Sequence, residues 1–197
     1  MESVVAYDLT EEILEAAKSF VESNGNVNVH FVQGDAENLP FDDSEFDVIT
    51  CRIAAHHFPN LLSFIKESYR VLKKNGKFLL IDNIAPEKEE FDKFYNKVEQ
   101  DRDYSHHRAW KKSEWLRMLE ETGYEIDETY RFLKTFTFED WANRMNLSND
   151  KKRELSDYMC EKPEEYHNKF RIKVVNGQVH SFVGESILLK AVKHFEQ

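Results

Sequence analysis

Three aspartates close short apolar runs: Asp8 follows residues 4–7, Asp35 follows residues 27–34, and Asp82 follows residues 78–81. A carboxylate at a strand tip can accept two hydrogen bonds from vicinal hydroxyls, a charge-assisted arrangement that fixes the orientation of a nucleoside. Asp8 is placed for that role, although an aspartate before Leu9-Thr10 can equally cap a following helix. His56 and His57 follow the run 46–51, where an imidazole near a reacting group could take up a proton; adjacent histidines entering a helix are also often packed or solvated. His106 and His107 have no further ligand at helical or turn spacing, so no metal site is indicated. Trp110, Trp115 and Trp141 could line a pocket for a flat apolar molecule, but aromatics at helical spacing more often fill a core.

The elements that would position these groups alternate. A β-prone segment at 4–7 leads to a helix with Glu11 and Glu12 in its first turn and Ile13, Ala17, Phe20 and Val21 on one face. Asn24-Gly25 ends that helix, and Val27, Val29 and Phe31 alternate as a strand. The run 46–51 predicts a strand covered on both faces, Leu61, Leu62, Ile65, Tyr69 and Leu72 mark a helix ended by Asn75-Gly76, and 78–81 predicts another buried strand. Strand and helix in repeated alternation imply an α/β fold with a doubly wound, mostly parallel sheet.

Beyond Pro86, helices are expected around Phe91, Phe94, Tyr95 and Val98, from Ser113, around Trp141, and around Leu155, Tyr158 and Met159, with a strand over 124–132. Asn176-Gly177 between 171–175 and 178–183 is a hairpin signal, and 187–192 reads as a last strand. These strands predict an antiparallel edge on the sheet.

The 197 residues are 41% hydrophobic and 13% aromatic, enough for one sizeable core, and a single domain over 1–197 is expected, with 1–86 and 87–197 as its two halves. A net charge of -10 argues against attraction to nucleic acid or anionic lipid phosphates and leaves a small molecule as the expected partner. Cys51 and Cys160 suggest neither a disulfide framework nor a zinc site. Without an apolar stretch long enough for a signal or a membrane span, no membrane partner and a cytoplasmic location are expected.

Val5-Ala6-Tyr7-Asp8-Leu9-Thr10, Gly34-Asp35-Ala36-Glu37-Asn38-Leu39-Pro40-Phe41 and Phe46-Asp47-Val48-Ile49-Thr50-Cys51-Arg52 occur in order, followed by Ala54-Ala55-His56-His57-Phe58, Tyr69-Arg70-Val71-Leu72-Lys73 and Gly76-Lys77-Phe78. Jointly these motifs resemble class I S-adenosylmethionine-dependent methyltransferases, in the type 11 group that includes ubiquinone and menaquinone biosynthesis C-methyltransferases. The similarity runs to about Pro86. After that, Ser113-Glu114-Trp115 and Phe138-Glu139-Asp140-Trp141 resemble uncharacterised bacterial members only loosely. The resemblance implies a Rossmann-like fold, S-adenosyl-L-methionine as cofactor, and methyl transfer to a small-molecule acceptor by in-line displacement, driven mainly by positioning and exclusion of water. It also implies that Asp8 holds the ribose hydroxyls, Leu9 packs on the adenine, Asp35 accepts from the adenine amino group and the Ala36 backbone donates to the ring. Arg52 and residues 53–57 would lie near the sulfonium, with His56 or His57 as proton acceptor.

One departure stands out. Family members carry, before the strand that ends in Asp8, a further strand and a glycine-rich turn, whereas the six glycines of this chain are isolated. The chain is therefore expected to begin one strand late, without the first central strand of the sheet. The consequences expected are impaired cofactor binding and a chain that is unstable, aggregated, or completed by another chain such as a second copy. A noncatalytic binding module that retains the fold without the cofactor is the reading from another class.

Overall fold

Val4–Asp8 (β1) is a short apolar strand, and the Thr10 amide donates to Asp8 Oδ1 to turn the chain into Glu11–Ser23 (α1). The Thr10 hydroxyl makes no cap bond; Asp8, two residues earlier, supplies the side-chain acceptor at the start of the helix. Gly25 at φ +73 returns the chain to Val29–Gln33 (β2), which pairs in parallel with β1 from Val4↔Val29 to Asp8↔Gln33. Next come Phe46–Arg52 (β3), a single 3-10 turn at Ala55–His57, Leu61–Val71 (α2) and Leu72–Ile84 (β4). Glu89–Arg102 (α3), Lys112–Thr122 (α4), Tyr124–Thr137 (β5), Phe138–Asn143 (α5), Asn149–Cys160 (α6), Glu164–Phe170 (α7), Lys173–Val175 (β6) and Gln178–Lys193 (β7) complete the order. This computed structural model describes residues 2–194.

The strands form two sheets, β1-β2 and β3-β4-β7-β5, with β6 paired to β7. β3 and β4 run parallel, whereas β7 is antiparallel to both β4 and β5. The antiparallel part of the sheet is thus built by β7 inserting between β4 and β5. Among the described residues no ladder joins β1 to β3, so each keeps one unpaired edge. The expected apolar face of α1 is only partly covered: Leu14 is buried, but Ile13 is 54% and Phe20 70% exposed, because two strands offer that helix too narrow a surface.

Two local readings change in the fold. Asn75-Gly76 does not end a helix: α2 stops at Val71, and Asn75 at φ +62 turns the chain within β4, where the ladder to β3 shifts between Phe46 and Val48. A Cβ on Gly76 would lie 2.8 Å from the Lys73 carbonyl oxygen, so the close backbone approach selects glycine. The C-terminal strands are also longer than their apolar runs, since β5 and β7 pair from Tyr124↔Lys193 to Thr137↔Ser181. The hairpin at Asn176 (φ +52) and Gly177 (φ +76) has the mirror-turn geometry that matches strand twist.

Burial falls into two clusters. One packs Leu61, Phe64 and Ile65 of α2 and Trp115 and Leu119 of α4 on Phe78, Leu80 and Leu189. The second packs Phe94, Tyr95 and Val98 of α3 with Trp141, Met159 and Phe182. Trp115 and Trp141 are 1% and 3% exposed and therefore serve as core, each large side chain stabilising the fold by roughly 1.5–3 kcal/mol on burial. Among the described residues no helix is long and apolar enough to cross a membrane.

Candidate active site

The carboxyl ends of β1 and β2 lie side by side, and the Gly34 amide donates to the Asp8 carbonyl at 3.0 Å. Asp8 and Asp35 therefore occupy adjacent tips. Each carboxylate holds its own turn, Asp8 Oδ1 accepting from the Thr10 amide and Asp35 Oδ1 from the Glu37 amide, both at 2.9 Å. Among the described residues the second oxygen of each has no partner. Leu9 between them in sequence is 67% exposed, an apolar surface available to a flat ring. Tyr7 Oη donates to the Asp35 carbonyl at 3.2 Å and packs so close to Gly34 that a Cβ there would meet it at 2.1 Å.

The loop that follows Asp35 joins this unit to the larger sheet. Glu37 Oε1 accepts the Asn60 amide at 2.6 Å at the start of α2. Arg70 on α2 donates to the Leu39 and Phe41 carbonyls and pairs with Glu67 and Asp43. The Arg70 hydrogen bond keeps the Glu67 carboxyl below its ordinary range. Ala36 packs against the first core cluster, which sets the position of its backbone.

At the tips of β3 and β4 the chain is strained and polar. Ile53, directly after Arg52, has φ +53, a left-handed conformation that is costly for a β-branched residue, and its amide is held by the Ile81 carbonyl at 2.7 Å. The strain swings residues 54–57 back over the sheet. There His56, 5% exposed, sets Nδ1 2.7 Å from Asp82 Oδ1 and its amide on Asp82 Oδ2. Asp82 was expected at an open strand tip with Asp8 and Asp35. Instead β4 continues past it, pairing Asp82 with Ile187, and the carboxylate is 1% exposed with His56 as its partner.

His57 is more open, with Nδ1 3.0 Å from the Ser105 carbonyl and 3.2 Å from Ser105 Oγ, which in turn donates to buried Asp103. His106 lies under both histidines, 4% exposed, with Nε2 3.0 Å from Asn96 Oδ1. Burial, reinforced by His56 and His57, lowers its pKa to about 3. The four histidines do not converge on an ion; among the described residues no group of three or more His, Cys, Asp or Glu could hold a metal.

A further set of groups in this region escaped the sequence. Glu99, 1% exposed on the apolar face of α3, pairs through Oε2 with Arg102, while the Tyr95 hydroxyl faces the Glu99 carboxylate without a well-formed hydrogen bond. Burial first, then the Glu99 charge, pushes the Tyr95 hydroxyl far above its ordinary pKa, so it stays a donor. Lys134 reaches across from β5 to Asn83 Oδ1 at 3.4 Å. The signal for Glu99 was present as a charged residue in line with Phe91, Tyr95 and Val98; nothing local marks Lys134. Together these groups leave free acceptor oxygens at the β1–β2 tips and a polar, histidine-bearing turn after β3.

Residues 1–80 match the family described as a methyltransferase domain. An uncharacterised methyltransferase, YcgJ, from Bacillus subtilis is 36% identical over 194 residues, covering 98% of this chain and 77% of that one. A crystal structure from Bacillus halodurans C-125, described as that of a candidate methyltransferase, superposes with a TM-score of 0.96 at 61% identity over 98% of this chain and 84% of its own. Demethylmenaquinone methyltransferase from Lactococcus lactis is 36% identical over 83 residues, 42% of this chain and 33% of the relative, so that likeness is confined to one part of each. Relatives that share sequence along nearly the whole chain carry the same family and the same fold: the chain belongs to the S-adenosylmethionine-dependent methyltransferases.

Proposed function

We propose that the protein transfers the sulfonium methyl of S-adenosylmethionine to a small-molecule acceptor, binding the nucleoside at the β1–β2 tips and the acceptor over β3 and β4. The observation that carries this reading is the pair of carboxylates at adjacent parallel strand ends, each with an oxygen left open. When bound, the cofactor supplies a methyl group activated by a positively charged sulfur. Asp8 binds the ribose hydroxyls through its open oxygen, Leu9 covers the adenine face, and Asp35 with the Ala36 amide reads the adenine edge. These residues fit the group: the open oxygens are acceptors where hydroxyl and amino donors would sit, and Leu9 is the exposed apolar neighbour.

Arg52 and the strained turn at Ile53 border the space between nucleoside and acceptor, and excluding water there favours a displacement aligned by position. A proton leaving the acceptor passes to His56, whose ring Asp82 orients, or to the more open His57. The net charge of -10 favours a small acceptor over nucleic acid. Calorimetric titration of the protein with S-adenosylhomocysteine tests the reading: saturable binding lost in Asp8→Ala is expected, and no binding to the parent protein overturns it.

A further inference from the structure

The turn after β3 carries two adjacent imidazoles, and in each the partner of Nδ1 fixes where the ring proton sits. His56 Nδ1 faces the Asp82 carboxylate, an acceptor, so Nδ1 carries the proton. His57 Nδ1 lies 3.0 Å from the Ser105 carbonyl oxygen and 3.2 Å from Ser105 Oγ. The carbonyl has no proton to give. The Ser105 hydroxyl proton is committed to Asp103 Oδ1 at 2.6 Å, so Oγ also turns a lone pair to the ring. His57 is therefore protonated at Nδ1 and carries its own lone pair on Nε2.

The two rings differ in what surrounds them. His56 is 5% exposed, its ring centre lies 4.1 Å from that of His57 and 5.4 Å from that of His106, and its carbonyl accepts the His107 and Arg108 amides. It is built into the fold. His57 is half-buried, and among the described residues its Nε2 has no partner. Behind it stands a buried carboxylate: Asp103 is 4% exposed and also accepts the Ser105 amide at 2.9 Å. Burial raises the Asp103 carboxyl, but the two Ser105 bonds and the His57 and Arg102 charges outweigh it, leaving its pKa below the ordinary value. A ring docked only for packing needs no more than the carbonyl bond. A hydroxyl that links a buried negative charge to Nδ1 stabilises the imidazolium, the state reached when Nε2 takes up a proton.

We infer that His57, not His56, is the proton acceptor of this site, and that Ser105 and Asp103 are positioning residues that hold its ring with Nε2 open. The inference rests on the methyltransferase reading and chooses between the two histidines that it names. The acceptor's proton moves to His57 Nε2, and its electron pair stays on the acceptor atom for the incoming methyl. The positive charge lost by the sulfur is kept as an imidazolium opposite Asp103. The acceptor therefore carries a hydrogen on the atom that is methylated.

Proton–nitrogen correlation spectra of the parent protein in alkaline buffer, with ring signals assigned by His56→Gln and His57→Gln, read the tautomers directly. His57 is expected with its proton on Nδ1. Diethyl pyrocarbonate, which acylates unprotonated imidazole nitrogens that it can reach, reads access. His57 should be modified at least about tenfold faster than His56, which reacts only through local opening. Bound S-adenosylhomocysteine should slow the His57 reaction several-fold. In Asp103→Asn the new amide can donate to Ser105 Oγ, which then turns its proton to Nδ1. Part of the His57 population should accordingly move its proton to Nε2, and modification should slow.

A His57 proton on Nε2 in the parent, His56 reacting as fast as His57, no protection by S-adenosylhomocysteine that calorimetry shows to be bound, or the parent's tautomer in folded Asp103→Asn overturns the inference. The first three outcomes need only the parent protein, so a variant that fails to fold leaves the test intact. Absence of S-adenosylhomocysteine binding in the calorimeter overturns the methyltransferase reading instead; if it binds and His57 fails, only the choice of His57 falls.

Discussion

His56 Nδ1 lies 2.7 Å from Asp82 Oδ1, with the two residues 5% and 1% exposed and 26 positions apart in the chain. The same carboxylate accepts the His56 and Asn83 amides, so one side chain ties the turn after β3 to the end of β4. Asp82→Ala leaves two buried His56 donors and the half-buried Asn83 amide without this acceptor and is expected to destabilise the fold by about 3–5 kcal/mol. The change should appear as a lower urea midpoint at unchanged slope. A loss under about 1 kcal/mol would show that the pair does not hold the turn.

His106 makes stability depend on pH. The Asn96 side-chain oxygen that faces it also accepts the Ala109 amide, so His106 Nε2 carries the proton and the ring is neutral when folded. Its folded pKa of about 3 lies below the ordinary 6.5. The unfolded chain therefore binds the proton first as pH falls, and stability decreases between those values with a slope approaching about 1.4 kcal/mol per pH unit. His106→Gln should flatten this part of the curve in urea melts at pH 7, 6 and 5. Parallel curves for the two proteins would refute the assignment.

Gly34 and Tyr7 are packed as a unit. In Gly34→Ala the new methyl would overlap Tyr7 Oη, displacing the ring that donates to the Asp35 carbonyl. Overpacking of this kind is expected to cost about 1–3 kcal/mol, and to weaken S-adenosylhomocysteine binding with it. Combining Gly34→Ala with Tyr7→Ala should recover part of the stability lost by the first substitution alone. Strict additivity in the thermal melts would mean that the overlap is relieved elsewhere.

Asp8 separates binding from folding. Asp8→Ala removes one turn bond, worth about 1 kcal/mol, and should leave a folded protein. The same change should weaken S-adenosylhomocysteine binding by about 2 kcal/mol, roughly thirtyfold. Equal affinity in the variant would assign Asp8 to the turn alone.

Much of this molecule is legible in short stretches of its sequence. β1, α1 and β2 follow from apolar runs, acidic first-turn residues and Gly25, because those preferences act over a few bonds. The placement of Asp8 and Asp35 on adjacent tips follows as well, since a parallel strand–helix–strand unit carries both residues to the same end. Asn176-Gly177 states its own turn for the same local reason. Asn75-Gly76 misleads because a left-handed residue ends a helix or kinks a strand equally well, and only the partner strand decides which.

The rest was settled by contacts between distant segments. Whether Asp82 is a tip or an interior residue depends on how far β7 extends along β4. Lys134 reaches Asn83 across 51 positions only because β5 pairs with β7 over its whole length. Glu99 enters the apolar face of α3 as an apparent misfit until Arg102 and Tyr95 are seen beside it. Sequence alone determined the tips at Asp8 and Asp35 and the turns at Gly25 and Asn176-Gly177, through local backbone preference. Tertiary structure decided which charges are buried together and which remain unmatched, because electrostatic pairing depends on distance in space and is blind to separation along the chain.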